Sequence, residues 1–257
     1  MLKPLSAAIL FAIGSLSAQA AEFVLSDATT GSDVGDWEVS SDSRGIQSKT
    51  PFTLEKRRLH GGKQEGVDVL LINNGVMEIT LVPTRGMGIY QVTSGDLRLG
   101  WDSPVKEIVN PANIDLESRN GLGWLDGFNE MMVRCGYEWT GHPGVDDNGQ
   151  LLSLHGRAQN TPASTVKVII DEQPPYTIHV RGQVAERTFK KTNLVTWTEL
   201  SVAPGSNRFE LHDELTNFAD YEDEYQIIYH SNFGTPLLEE GAVVTAAATE
   251  ISPFNDY

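Results

Sequence analysis

The chain reads as an all-β protein built as a large antiparallel β-sandwich, and three observations predict it. Apolar residues recur with a period of two in many separate short segments. Gly, Pro and Asn punctuate those segments at short intervals, as strand connections require. No stretch of twelve or more residues sustains a 3.6-residue apolar stripe, so long amphipathic helices are not expected.

In chain order, Lys3 stands ahead of an apolar run over residues 5–16, followed by Ser17-Ala18-Gln19-Ala20. A basic start, an apolar run too short to span a bilayer and small residues at Ala18 and Ala20 predict a secretory signal peptide over residues 1–20, cleaved after Ala20. The protein is therefore expected to be secreted or periplasmic. Residues 21–51 are rich in Ser, Asp, Thr and Gly and read as a polar surface lead-in to a domain over 52–257. Within that domain, residues 67–72 and 76–82 are apolar strands joined by Asn73-Asn74-Gly75, whose Asn-Gly pair predicts a tight hairpin turn with positive φ angles. Residues 100–150 lack alternation and carry Trp101, Trp124 and Trp139. They are expected to form a long ordered loop, either a floor for a polyol ligand or a plug for the end of the sandwich. Further strands are expected at 164–170, 177–186, 194–202, 208–215, 225–229 and 242–247, with turns at Pro174-Pro175 and at Pro204-Gly205-Ser206-Asn207. Sheets of so many strands stack in order to bury their apolar faces, hence the sandwich.

Composition limits the function. A chain of 257 residues with 40% hydrophobic and 21% charged content can fold around a substantial core. Its 19 Lys and Arg against 35 Asp and Glu leave a net charge of −16, which argues against nucleic acid and anionic membranes as partners. No second apolar run reaches membrane length. Cys135 is the single cysteine, so neither an intramolecular disulfide nor a Cys-rich zinc site is available, and a metal would need His and carboxylates. Gly31-Ser32-Asp33-Val34-Gly35 has neither the preceding strand nor the following helix of a nucleotide-binding loop.

Of six histidines, two stand in unusual settings. His155 lies in Leu154-His155-Gly156-Arg157, where Gly156 permits close backbone approach and Arg157 adds a cationic fork. His230 follows an apolar strand in Tyr229-His230-Ser231-Asn232-Phe233-Gly234, so His230 and Asn232 project from one face. Either histidine alone is equally readable as a hydrogen-bonded structural residue.

Taken together, Leu-His-Gly and a later strand ending in His-x-Asn-Phe resemble the aldose 1-epimerase (galactose mutarotase) superfamily. The resemblance is stronger to its uncharacterised DUF4432 branch. That branch is matched by Leu59-His60-Gly61-Gly62, Pro83-Thr84-Arg85-Gly86-Met87-Gly88-Ile89, the segment from Gly123-Trp124 to Arg134-Cys135-Gly136, Leu154-His155-Gly156-Arg157 and the His230 motif, in that order. The resemblance implies a galactose mutarotase-like supersandwich that binds a small-molecule carbohydrate in an open cleft, with no metal and no organic cofactor. It implies catalytic roles for His155, which polarises the substrate, and for His230, which is the acid for the ring oxygen. Arg157 and Asn232 would hold sugar hydroxyls. Arg85 would bind substrate in place of the family's arginine, or else make a structural ion pair. His60, although it sits in a Leu-His-Gly-Gly string, precedes the first hairpin and is expected in an ordinary turn. The family's glutamate base lies near its C-terminus, and no residue here matches it. The C-terminal strands are accordingly expected to be missing from this chain. Two other functions stay open: a sugar-binding module without turnover, and metal-assisted isomerisation or hydrolysis through His155, His230 and a carboxylate.

Overall fold

The computed structural model describes residues 20–252. The expected signal segment lies outside the described residues except for Ala20, which opens the first strand. The chain runs through β1 (Ala20–Asp27), β2 (Ser32–Asp33), β3 (Trp37–Ser40), β4 (Thr53–Arg58), β5 (Asp68–Asn73), β6 (Glu78–Val82), β7 (Gly88–Ser94) and β8 (Leu97–Leu99). After a long stretch of short turns come β9 (Met132–Tyr137), β10 (Gly144–Val145) and β11 (Leu151–Leu152). The second half is β12 (Thr165–Asp171), β13 (Ile178–Arg187), β14 (Asn193–Val202), β15 (Phe209–Asn217) and β16 (Gln226–Ser231).

Two large antiparallel sheets hold fourteen of these strands, and β10 and β11 pair in a separate two-stranded ribbon. One has eight, in the order β16-β9-β7-β6-β5-β4-β3 with β8 beside β7; the other has six, in the order β15-β14-β13-β12-β1-β2. The alternation that predicted the strands explains the packing, because every second side chain turns to the same face. Leu54, Leu70, Ile72, Ile79, Leu81 and Ile89 of the larger sheet meet Val166, Val168, Ile170, Ile178, Val180, Val184 and Leu200 of the smaller one in a single buried core. Burying each such side chain contributes about 1.5–3 kcal/mol. The all-β sandwich expected from periodicity is thus what the chain forms.

Polar clips join the sheets at each end. Asn74, fully buried in the β5–β6 connection, accepts from the amides of Val76 (3.0 Å) and Met77 (2.7 Å) and donates to Ala203 O (2.9 Å) and Ser206 O (2.8 Å) in the β14–β15 turn. The connection is wider than the expected tight turn, since strand pairing ends at Asn73 with Glu78 and only Gly75 of the pair takes a positive φ, +85°. Elsewhere Arg134 of β9 forks onto Asp213 of β15, with Nε–Oδ2 at 2.5 Å and Nη2–Oδ1 at 2.9 Å.

Three expectations need correction. Residues 21–51 are not a lead-in outside the domain: they supply β1, β2 and β3, and Leu25 and Val39 join the core, so the boundary at residue 52 divides nothing. These edge strands carry few large apolar groups, which hid them. Residues 100–150 contain a strand, β9, in which all six residues are buried. A strand covered on both faces loses its polar alternation. Residues 242–247 form no strand and are exposed, Val243 at 84% and Val244 at 86%. Two valines among alanines and a threonine offer too little apolar area to hold such a segment against a sheet.

Candidate active site

The outer face of the larger sheet, at its β9–β16 end, carries a cluster of rings. β16 pairs with β9 so that His230 lies opposite Val133 and Ser231 opposite Met132. Val133 and Cys135 turn outward from β9 and, with Leu154 and Trp124, form a small apolar cluster apart from the main core. Burial there pushes the Cys135 thiol up to about 12, so it acts as a packing group rather than a nucleophile.

A tight backbone crossing brings His155 to this surface. Gly136 and Gly156 form an isolated parallel bridge, with Gly136 N donating to His155 O (3.1 Å) and Arg157 N donating to Gly136 O (3.0 Å). A Cβ on Gly156 would fall 2.1 Å from Trp139 O and 2.7 Å from Gly136 O. The glycine is therefore demanded by close approach of the chain to itself, not by approach to a ligand. His155 adopts φ +59°, a strained position for a non-glycine residue and one seen often at functional sites.

The two histidines meet. Their ring centroids are 5.2 Å apart at an interplanar angle of 63°. Trp124, only 1% exposed, sits under both, 4.7 Å from His155 and 5.9 Å from His230. Phe128 lies 4.3 Å from Trp124 and 5.2 Å from His230, and Trp101 extends the row 5.1 Å beyond Phe128. The Nδ1 of His155 donates to Thr140 O at 2.8 Å. By contrast His230 Nδ1 and Trp124 Nε1 are buried with no hydrogen-bond partner among the described residues. Burial, and next the neighbouring His155, hold the His230 imidazole below its ordinary titration range. The cluster therefore offers an easily deprotonated imidazole, a second imidazole of fixed orientation, and, over the buried Trp124, the half-buried rings of Phe128 and Trp101 as its open aromatic surface.

The remaining candidates fare differently. Asn232 lies just beyond β16, half-buried; its amide donates to Glu130 O (3.3 Å), the same carbonyl that takes the Trp101 indole N–H (3.1 Å), and its Oδ1 has no partner among the described residues. Arg157 is exposed and lines a small cleft with Glu138, Gln150 and Glu186 that contains neither histidine. The pairing of Arg157 with His155 in a common pocket is thus not what the fold makes: alternate residues of this turn face different sides. Arg85 is fully buried, with no exposed surface to offer a ligand. Its guanidinium pairs with the buried Glu130 carboxylate and donates to Val109 O (3.0 Å), Asn160 Oδ1 (2.9 Å) and Gly127 O (3.0 Å), so the structural ion pair is the correct alternative. His60 is exposed in a turn beside Glu65, as expected.

Among the described residues no group of three or more His, Cys, Asp or Glu side chains assembles in a way that could hold a metal ion. No helix among them is long and apolar enough to cross a membrane. Sequence reasoning missed Phe128, Thr140 and Gln226, which touch the histidines directly or through one intermediate. The available signal was Gln226, a polar residue opening β16 two and four positions from Ile228 and His230 on the same face.

Comparison with known proteins shows what the chain as a whole is similar to. A crystal structure from Klebsiella pneumoniae subsp. pneumoniae MGH 78578, described as that of a candidate aldose 1-epimerase, is 58% identical in sequence with a TM-score of 0.84. The match covers 87% of this chain and 58% of that one, so the present chain spans little more than half the length of its solved relative. No curated protein matches. The domain of unknown function DUF4432 matches residues 64–257, from the turn before β5 onward through the histidine pair. With that match over most of its length, the chain belongs to the DUF4432 family.

Proposed function

We propose that this protein binds a small-molecule aldose and interconverts its anomers by acid-base catalysis at the His155–His230 cluster. The observation that carries the reading is the meeting of two imidazoles, 75 residues apart in sequence, at 5.2 Å over the Trp124 ring. The described aldose 1-epimerase relationship of the Klebsiella structure supports the same reaction class. Anomerisation opens the sugar ring: one group removes the anomeric hydroxyl proton while another protonates the ring oxygen. His230 is suited to the second task, since an imidazole with a lowered proton affinity gives its proton up readily. Phe128, half-buried over Trp124, would cover the sugar's C–H face, and the Oδ1 of Asn232 would accept from a hydroxyl. Export is part of the proposal, supported by Lys3, the apolar run that follows it and the small residues Ala18 and Ala20.

Polarimetry on freshly dissolved single anomers, with the spontaneous rate subtracted, tests the reading. The protein should accelerate mutarotation, and His230→Ala should bring the rate down by about 10²–10⁴-fold, the usual contribution of one positioned acid, while sugar binding persists. Wild-type protein that binds aldoses without accelerating mutarotation would make it a binding module instead. Unchanged turnover in His230→Ala would remove that residue from the chemistry.

A further inference from the structure

The outer face of the larger sheet carries a second hollow, beside the ring cluster. It measures about 240 Å³ and is lined by side chains of β4 to β7, among them Thr53, Glu55, Glu78, Thr80, Gln91 and Thr93. Alternation puts them there: Ile79, Leu81 and Val92 turn into the core, so Thr80, opposite Gln91, and Glu78, opposite Thr93, turn out. A solvated sheet face is polar in any case, but this one has hydrogen-bonding groups to spare. Glu78 is taken by the Asn73 amide (3.1 Å) and Glu55 by Arg57 (2.7 Å). The hydroxyls of Thr53, Thr80 and Thr93 and the amide of Gln91, all half-buried, have no partner among the described residues.

A fixed bridge joins this hollow to the histidines. Gln91 packs against Gly100, where an added Cβ would lie 3.7 Å from the Gln91 Cβ. Gly100 O in turn accepts from Gly234 N (2.7 Å), two residues beyond Asn232. Trp101 is held twice, its indole N–H on the Glu130 carbonyl (3.1 Å) and its own carbonyl on Arg98, and its ring continues the row through Phe128 to His230. One surface therefore runs from His230 over Phe128 and Trp101 to Gln91 and Thr80. In the order β16-β9-β7-β6 its ends are three strand spacings apart, about 14 Å, farther than one sugar ring reaches.

We propose that the aldose acted on here is the reducing end of a neutral oligosaccharide, whose following units lie over Trp101 and reach the hollow of Thr80, Gln91 and Thr93. The inference rests on the epimerase reading and names its substrate class. Anomerisation touches only the reducing-end unit, so the rest of the chain is free to run along the sheet. Pyranose C–H faces suit the Trp101 ring, and their hydroxyls suit the threonines and Gln91. Two carboxylates, Glu55 and Glu78, stand against the single guanidinium of Arg57, so uronic acids and sugar phosphates are repelled. Contacts so far from the reacting carbon act on KM rather than on kcat.

Magnetisation exchange between anomeric proton signals at equilibrium, measured with glucose, cellotetraose and maltotetraose beside calorimetric titration of the same sugars, tests this. At least one tetrasaccharide should exceed glucose by about tenfold or more in kcat/KM, chiefly through KM, as a few remote hydrogen bonds produce. The double variant Thr80→Val, Thr93→Val keeps the shape and strand preference of both side chains and should bring that ratio below about threefold; Gln91→Ala, read the same way, is an independent variant. A folding defect lowers both rates together, whereas the ratio reads the hollow. Tetragalacturonate, being anionic, should gain nothing over galacturonate. Neither tetrasaccharide exceeding glucose in rate or affinity, a ratio left intact in both variants, or an equal gain with tetragalacturonate overturns the inference. The two readings fail separately. Faster exchange of glucose with no gain for either tetrasaccharide ends the oligosaccharide assignment alone. Tetrasaccharides bound at least about tenfold tighter than glucose, with no exchange of anomers, end the epimerase reading and leave the ligand class standing.

Discussion

Replacing Arg85 with methionine should destabilise the protein severely without touching a substrate contact. The guanidinium and the Glu130 carboxylate are both fully buried. Glu130 Oε2 also accepts from the Asn129 amide (3.2 Å) and Gln159 Nε2 (2.8 Å), so the carboxylate stays in place when its cation is removed. Breaking a buried pair from one side leaves an uncompensated charge and costs about 3–5 kcal/mol. Three further acceptors, Val109 O, Gly127 O and Asn160 Oδ1, lose their donor as well, and each orphaned group costs about 1–3 kcal/mol before any relaxation. Since a whole domain is stable by only about 5–15 kcal/mol, Arg85→Met should lower the urea midpoint steeply or abolish folding. The double variant Arg85→Met, Glu130→Gln removes the stranded charge and should recover about half of the loss. Urea denaturation followed by far-ultraviolet circular dichroism reads both. A cost under about 1 kcal/mol for the single variant, or no recovery in the double, would refute the reasoning and return Arg85 to consideration as a ligand-binding residue. The assignment also matters for the site, because the Glu130 carbonyl receives both Trp101 and Asn232.

Further outcomes follow from the ring cluster. Trp124→Ala should cost about 3–5 kcal/mol and reduce mutarotation, with Trp124→Phe retaining more of both in denaturation and polarimetry, since the ring supports His155 and His230 together. Stability should also depend on pH through His230. Its folded titration lies below the ordinary 6.5, so as pH falls through 6.5 and on towards the folded value the unfolded chain takes up a proton that the folded ring refuses, and stability is lost. Denaturation midpoints across that window should flatten in His230→Gln; an equally steep decline would deny the shift.

Much of the fold was legible because a half-buried strand prints its burial on the sequence. β12, β13 and β14 each show the alternation from which they were expected, and each buries every second residue against the facing sheet. The histidine pair was legible through motif resemblance alone: nothing in the spacing of His155 and His230 states that their rings touch. What stayed illegible falls into two kinds. β9 is buried on both faces, so its sequence Met-Val-Arg-Cys-Gly-Tyr carries no period. The roles of Arg85, Gly156 and Thr140 depend on partners remote in the chain: Glu130 lies 45 residues from Arg85, and Gln226 lies 86 from Thr140.

By itself, then, the amino-acid order determined an antiparallel sandwich and singled out two histidines as candidates for its chemistry. Only the tertiary structure decided that one arginine is spent on a buried carboxylate, that a second faces another cleft, and that two distant imidazoles meet beside one indole. The reason is physical. Periodicity records how each residue divides between core and solvent, a local property, whereas the partner of a charge or a hydrogen-bonding group is chosen by whichever distant strand the packing of the sheets brings within about 3 Å.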